Sequence, residues 1–99
     1  DFVFELSQVD TPPQPVAQVP PLYPVTARMK GIEGEVTLVC IVRPDGSTDN
    51  VQVSSSEPKG GFDASAINAV KNWRFKPATS GGAPVACRVI LPLKIEVEE

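Results

Sequence analysis

At 99 residues the chain can bury one modest core but not two. Its net charge of -3, with nine Lys and Arg dispersed among twelve Asp and Glu, argues against a nucleic-acid surface or a polybasic membrane patch, and no apolar run approaches the length of a membrane span. The sequence has no His and only two Cys, which removes Ser-His and Cys-His nucleophilic pairs and leaves too few ligands for a tetrahedral zinc site.

The chain opens at Asp1 without an initiator Met or signal-like stretch, and is expected to be part of a longer or processed protein. Over residues 1–9, Phe2, Phe4 and Leu6 alternate with Val3, Glu5 and Ser7, a weak strand signal. Pro12, Pro13, Pro15, Pro20 and Pro21 then favour a polyproline-like path over helix or sheet. Residues 1–22 are therefore expected to form an extended Pro-rich arm, acting as a linker or lying along the domain or a partner, and 23–99 to form the folded unit.

In "YPVTARMKG" Pro24 suits the first turn of a helix and Gly31 its left-handed stop, giving a short helix from about Pro24 to Lys30. Val36, Leu38, Cys40 and Val42 follow at period two, then a Pro44-Asp45-Gly46 turn and a second strand carrying Val51 and Val53, which together read as a hairpin. "FDASAINAVKNWRFKPA" reads as an amphipathic helix. Asp63 is its N-cap, Ala66, Ile67, Val70 and Trp73 or Arg74 form its stripe, Pro77 marks its end, and Trp73 is expected in the core. A "TSGGAP" turn leads into the last strand, where Val85, Cys87, Val89, Leu91, Leu93 and Ile95 share one phase.

These elements predict an α+β fold. Two helices pack on one face of a three-stranded antiparallel sheet, in the sequence helix-strand-strand-helix-strand with sheet order 2-1-3. The serines Ser54, Ser55 and Ser56 lack an oriented base and read as a strand running into a turn. Gly60-Gly61 and Gly81-Gly82 do not have phosphate-loop spacing. The expectation is a binding or structural module with no catalytic residues, metal or cofactor.

The ordered set "YPVTARMKGIEGEVTLVCIVRPDG", "GFDASAINAVKNWRFKPA" and "GGAPVACRVILPLKI", spanning residues 23–95, resembles the C-terminal domain of TonB-family energy transducers. The resemblance implies a TonB C-terminal domain over 23–99, periplasmic and anchored in the inner membrane by a segment outside this chain. It implies coupling of an ExbB/ExbD-type inner-membrane motor, and so the proton motive force, to outer-membrane transporters of siderophores or similar nutrients. The transporter's "TonB box" peptide would add as a strand to the last strand, with the transporter plug as a further contact. The alternative is a TonB-like structural or interaction module of another cell-envelope or signalling machine. Tyr23 of the Tyr-Pro pair is carried over as a partner contact. The glutamine that relatives place three residues before it is Pro20 here, with Gln18 as the nearest substitute.

Pro92 interrupts the apolar run "CRVILPLKI". If odd residues of that strand bond its neighbour, even ones face outward, so Pro92 turns its missing donor to solvent, and Ala86, Arg88 and Ile90 can bond an incoming peptide. An edge proline also discourages unwanted strand pairing. The free edge and the apolar "FVFEL" segment leave open a homodimer or a strand swap between copies. Cys40 and Cys87 fall on inward phases of neighbouring strands. One register brings them into disulfide range in an oxidising periplasm; a slip of two residues leaves two buried thiols.

Overall fold

A computed structural model describes residues 2–96, so the last three residues of the expected 23–99 unit lie outside the described residues. After a 3-10 turn at Leu6–Gln8 come β1 (Gln14–Ala17), α1 (Val25–Met29), β2 (Gly34–Val42), β3 (Thr48–Glu57), α2 (Asp63–Lys71), β4 (Arg74–Lys76), β5 (Ala78–Ser80), β6 (Ala83–Val85) and β7 (Cys87–Ile95). The fold is α+β with antiparallel sheets. β2 lies between β3 and β7, and two further two-stranded sheets pair β1 with β4 and β5 with β6.

The β2–β3 hairpin follows from its turn. Gly46 N–H donates to the Arg43 carbonyl at 2.8 Å, and the Asp45 carboxylate accepts from the Ser47 amide and hydroxyl at 2.9 and 2.6 Å. Those hydrogen bonds from Ser47 hold the Asp45 carboxyl below its ordinary pKa. Gly46 has φ +88°, and a Cβ there would collide with the Phe75 carbonyl oxygen, so the tip of the hairpin accepts only glycine.

The core lies on one face of the central sheet. Val36, Leu38, Cys40 and Val42 of β2 are buried with Val89 and Ile95 of β7, and Phe62, Ala66, Val70, Trp73 and Phe75 cover them. Gly34 makes room for this cover, since a Cβ there would come within 2.6 Å of the Phe62 ring. α1 is too short to hold itself and docks through Ala27, with Pro24 before its first turn and Gly31 at φ +67° after its last.

Three expectations need correction. The amphipathic helix does not run on toward Pro77 but stops at Lys71. Asn72 leaves helical geometry at ψ 0°, and Arg74 to Lys76 form a strand, where the Phe75 ring packs well and Pro77 restricts the residue before it. Asp63 is not the N-cap: Phe62 holds that position, and Asp63 is the first helical residue, placing its charge at the favourable end of the helix dipole. The Pro-rich arm is not purely polyproline-like, because Gln14–Ala17 pairs with Arg74–Lys76.

Candidate functional site

The central sheet has two edges of unlike character. β3 meets β2 through two register irregularities, between Thr37 and Leu38 and between Val39 and Ile41, and Asn50 takes φ 51°. Such bulges twist an edge and blunt it against pairing. β7 meets β2 in nine consecutive residue pairs from Val42↔Cys87 to Gly34↔Ile95 without a break, so its backbone keeps one regular alternation along its whole length.

The backbone phase of that ladder is fixed by the arm. The Arg88 amide donates to the Phe4 carbonyl and the Phe4 amide donates to the Ala86 carbonyl, both at 2.9 Å, a parallel bridge centred on Cys87. Even positions therefore direct their backbone groups away from β2, and strand alternation extends this to Ile90, Pro92 and Lys94. Pro92, opposite Thr37, lacks a donor on the outer side, where its absence breaks no bond to β2. Among the described residues, the only strand pairing on the outer side of β7 is the Phe4 bridge.

The even side chains stand on the sheet face opposite the core. Arg88 is opposite Ile41, Ile90 is opposite Val39 and 63% exposed, and Lys94 reaches Glu35 at 3.9 Å. Arg88 also pairs with Glu5, the residue after Phe4, and both side chains are about half exposed. The Phe2 and Phe4 rings meet edge to face at 4.7 Å and, with Arg43, Pro44, Val85 and Ala86, line a cavity of about 250 Å³.

Ala86, Arg88 and Ile90 thus lie together along one edge, although Ala86 is a buried residue between β6 and β7 rather than a strand member. Tyr23 and Gln18 make their contacts elsewhere. Tyr23 stacks edge-on against Phe62 at 5.7 Å and donates its hydroxyl to the Ile32 carbonyl; burial and the charge of Glu33 raise its pKa. Gln18 is exposed on the arm, next to Val19, whose carbonyl accepts the Trp73 indole N–H at 2.8 Å.

The Cys40–Cys87 disulfide is not formed. Cys40 lies opposite Val89 and Cys87 opposite Val42, the register slipped by two, and both thiols are free and buried. Diagonal strand neighbours stand about 7–8 Å apart, beyond disulfide range. Burial pushes the Cys40 thiol up to about 11; burial, and then the charge of Glu5, raises that of Cys87.

The residues that sequence reasoning did not bring to the site are Phe4 and Glu5. The alternation of Phe2, Phe4 and Leu6 signalled a strand, but nothing local names the strand it meets more than 80 residues later.

The profile of the Gram-negative bacterial TonB protein C-terminal family matches residues 19–95. "Protein TonB" of Vibrio cholerae is 39% identical over 90 residues, covering 91% of this chain and 37% of that protein, and "Protein TonB" of Escherichia coli K12 is 35% identical over 81% of this chain and 34% of its own length. The chain thus spans about a third of the length of these relatives. The solution NMR structure of the Pseudomonas aeruginosa TonB CTD superposes with a TM-score of 0.76 at 33% identity, covering 100% of this chain and 98% of the other. From its sequence and its fold, the chain belongs to the TonB C-terminal domain family.

Proposed function

We propose that this chain is the periplasmic, non-catalytic energy-transducing module of a TonB-type protein, anchored in the inner membrane by a segment outside these residues. It binds the TonB box of an outer-membrane transporter by strand addition to β7 and passes on the work of an ExbB/ExbD-type motor to drive uptake of siderophores or similar nutrients. The observation that carries this reading is the Phe4 bridge: an extended segment already exchanges two backbone hydrogen bonds with the outer side of Ala86 and Arg88. The regular register of β7 beside the bulged β3 supports the choice of edge. Ala86, Arg88 and Ile90 supply the ladder, peptide pairing is strongest on the N-terminal side of Pro92, and Tyr23 and Gln18 form a separate contact toward the transporter plug.

The test is a titration of the isotope-labelled chain with a synthetic TonB-box peptide from a transporter of the same genome, read by backbone-amide NMR. The expected shifts are largest at Arg88 to Leu91. Shifts confined to α1 or the hairpin tip would overturn strand addition to β7, and failure of every such peptide to bind would favour a TonB-like module serving another envelope machine.

A further inference from the structure

The arm is built like a ligand for the edge it covers. Phe4 supplies one donor and one acceptor to β7, its ring packs on Phe2, and Glu5 follows it to reach the Arg88 guanidinium. Val3 and Phe4 are only half-buried, Phe2 is 66% exposed, Leu6 is 49% exposed, and the ion pair is open to water. Exposed ion pairs and short isolated bridges belong to the low-stability end of a fold, where segments open without global unfolding.

On the strand-addition reading, an incoming peptide and the arm require the same groups. The Arg88 amide and the Ala86 carbonyl each have one outward position, and Phe4 fills both. We propose that Phe2–Glu5 is a built-in competitor for the docking edge, and that the edge selects an extended peptide whose acidic side chain takes Arg88 from Glu5. Arg88 is then a specificity-determining residue: its backbone serves any extended segment, whereas its guanidinium favours a carboxylate placed one residue after the bridged position. Pro92 limits what lies beyond, so preference concentrates on the two or three residues nearest Arg88.

The experiment uses the full chain and two capped synthetic peptides, FVFELSQ and FVFQLSQ, the arm's own sequence with and without its acid. The chain is compared with its Phe4→Pro variant, which removes the arm's donor, and with Glu5→Lys, which leaves the arm's backbone able to pair. FVFELSQ is expected to bind Phe4→Pro about fivefold to tenfold more tightly than the natural chain, the scale of a lost backbone hydrogen bond. A smaller gain in the same direction is expected for Glu5→Lys. FVFQLSQ should bind Phe4→Pro about twofold to fivefold more weakly than FVFELSQ, the scale of an exposed ion pair, and adding Arg88→Gln should erase that difference. Equal affinity of FVFELSQ for the natural and Phe4→Pro chains overturns the competition. Equal affinity of the two peptides for Phe4→Pro overturns selection by Arg88. Either result with amide shifts still on β7 leaves strand addition standing, whereas shifts away from residues 86–94 in every chain remove strand addition itself.

Discussion

Cys40 and Cys87 show how two residues of register decide the chemistry of a side chain. In phase with one another they would be a crosslink; offset, they are small apolar groups filling the interior. A thiol whose pKa is pushed up to about 11 carries about one thiolate per thousand molecules at pH 8, so Cys40 should resist alkylation in the native chain and react freely, together with Cys87, in denaturant. The linkage has a definite sign. The unfolded thiol ionises near 9.0 and the folded one about two units higher, so its contribution to stability is intact below about pH 9 and is lost as pH rises toward 11. Denaturant midpoints measured across that window should fall with pH, and fall less steeply in Cys40→Ala, whatever the cavity in that variant costs at neutral pH.

At the scale of elements, what was legible in the sequence was what short-range chemistry decides. The hairpin was readable because Pro44-Asp45-Gly46 and both flanking alternations agree, and α1 because Pro24 and Gly31 bracket it. The end of α2 was not, because Trp73 continues the helical stripe in sequence although the helix has already ended at Lys71 and a strand begins at Arg74. The same side chain reaches the core from either conformation, and periodicity cannot tell them apart. Most of β5 and β6 falls in the stretch Thr79 to Pro84 that reads as a glycine-rich turn, and Val85 of β6 shares the phase of the last strand, since three-residue strands have too little pattern to announce themselves. The phase of β7 was readable and its register was not, which is why the outward turn of Pro92 followed from alternation while the pairing of Cys40 did not. Pro92 has a checkable consequence of its own. Pro92→Val restores an outward donor in a strand-favouring residue, and the variant should self-associate more steeply with concentration than the natural chain in sedimentation velocity. Unchanged sedimentation would mean that Pro92 does not limit pairing at this edge.

The molecule as a whole is elongated, 49 × 21 × 17 Å, and the arm travels over much of it. Phe4 bridges β7, Asp10 and Thr11 bond Thr79, Gln14–Ala17 pairs with β4, Val19 caps the Trp73 indole, and Pro20 and Leu22 run beside α2. None of these partners is near in sequence, so the arm's path was the part least open to prediction. Its C-terminal part is fastened by the indole bond, whose loss leaves the Val19 carbonyl without that partner. Trp73→Phe should therefore cost about 1 kcal/mol beyond its packing loss. Amide exchange at Gln14, Val16 and Ala17 should rise more than exchange in the middle of α2, and a uniform rise would assign Trp73 to the core alone.

The unbroken pairing of β2 with β7 has a mechanical consequence. Tension along the axis of β7 loads the hydrogen-bonded pairs at its odd positions, from Cys87 to Ile95, together in shear, whereas a pull across the sheet would open them one at a time. A strand laid beside β7 on the N-terminal side of Pro92 would also be loaded in shear, so a joint made of a few individually weak bonds can bear a steady load along its length and still peel apart when the pull turns sideways.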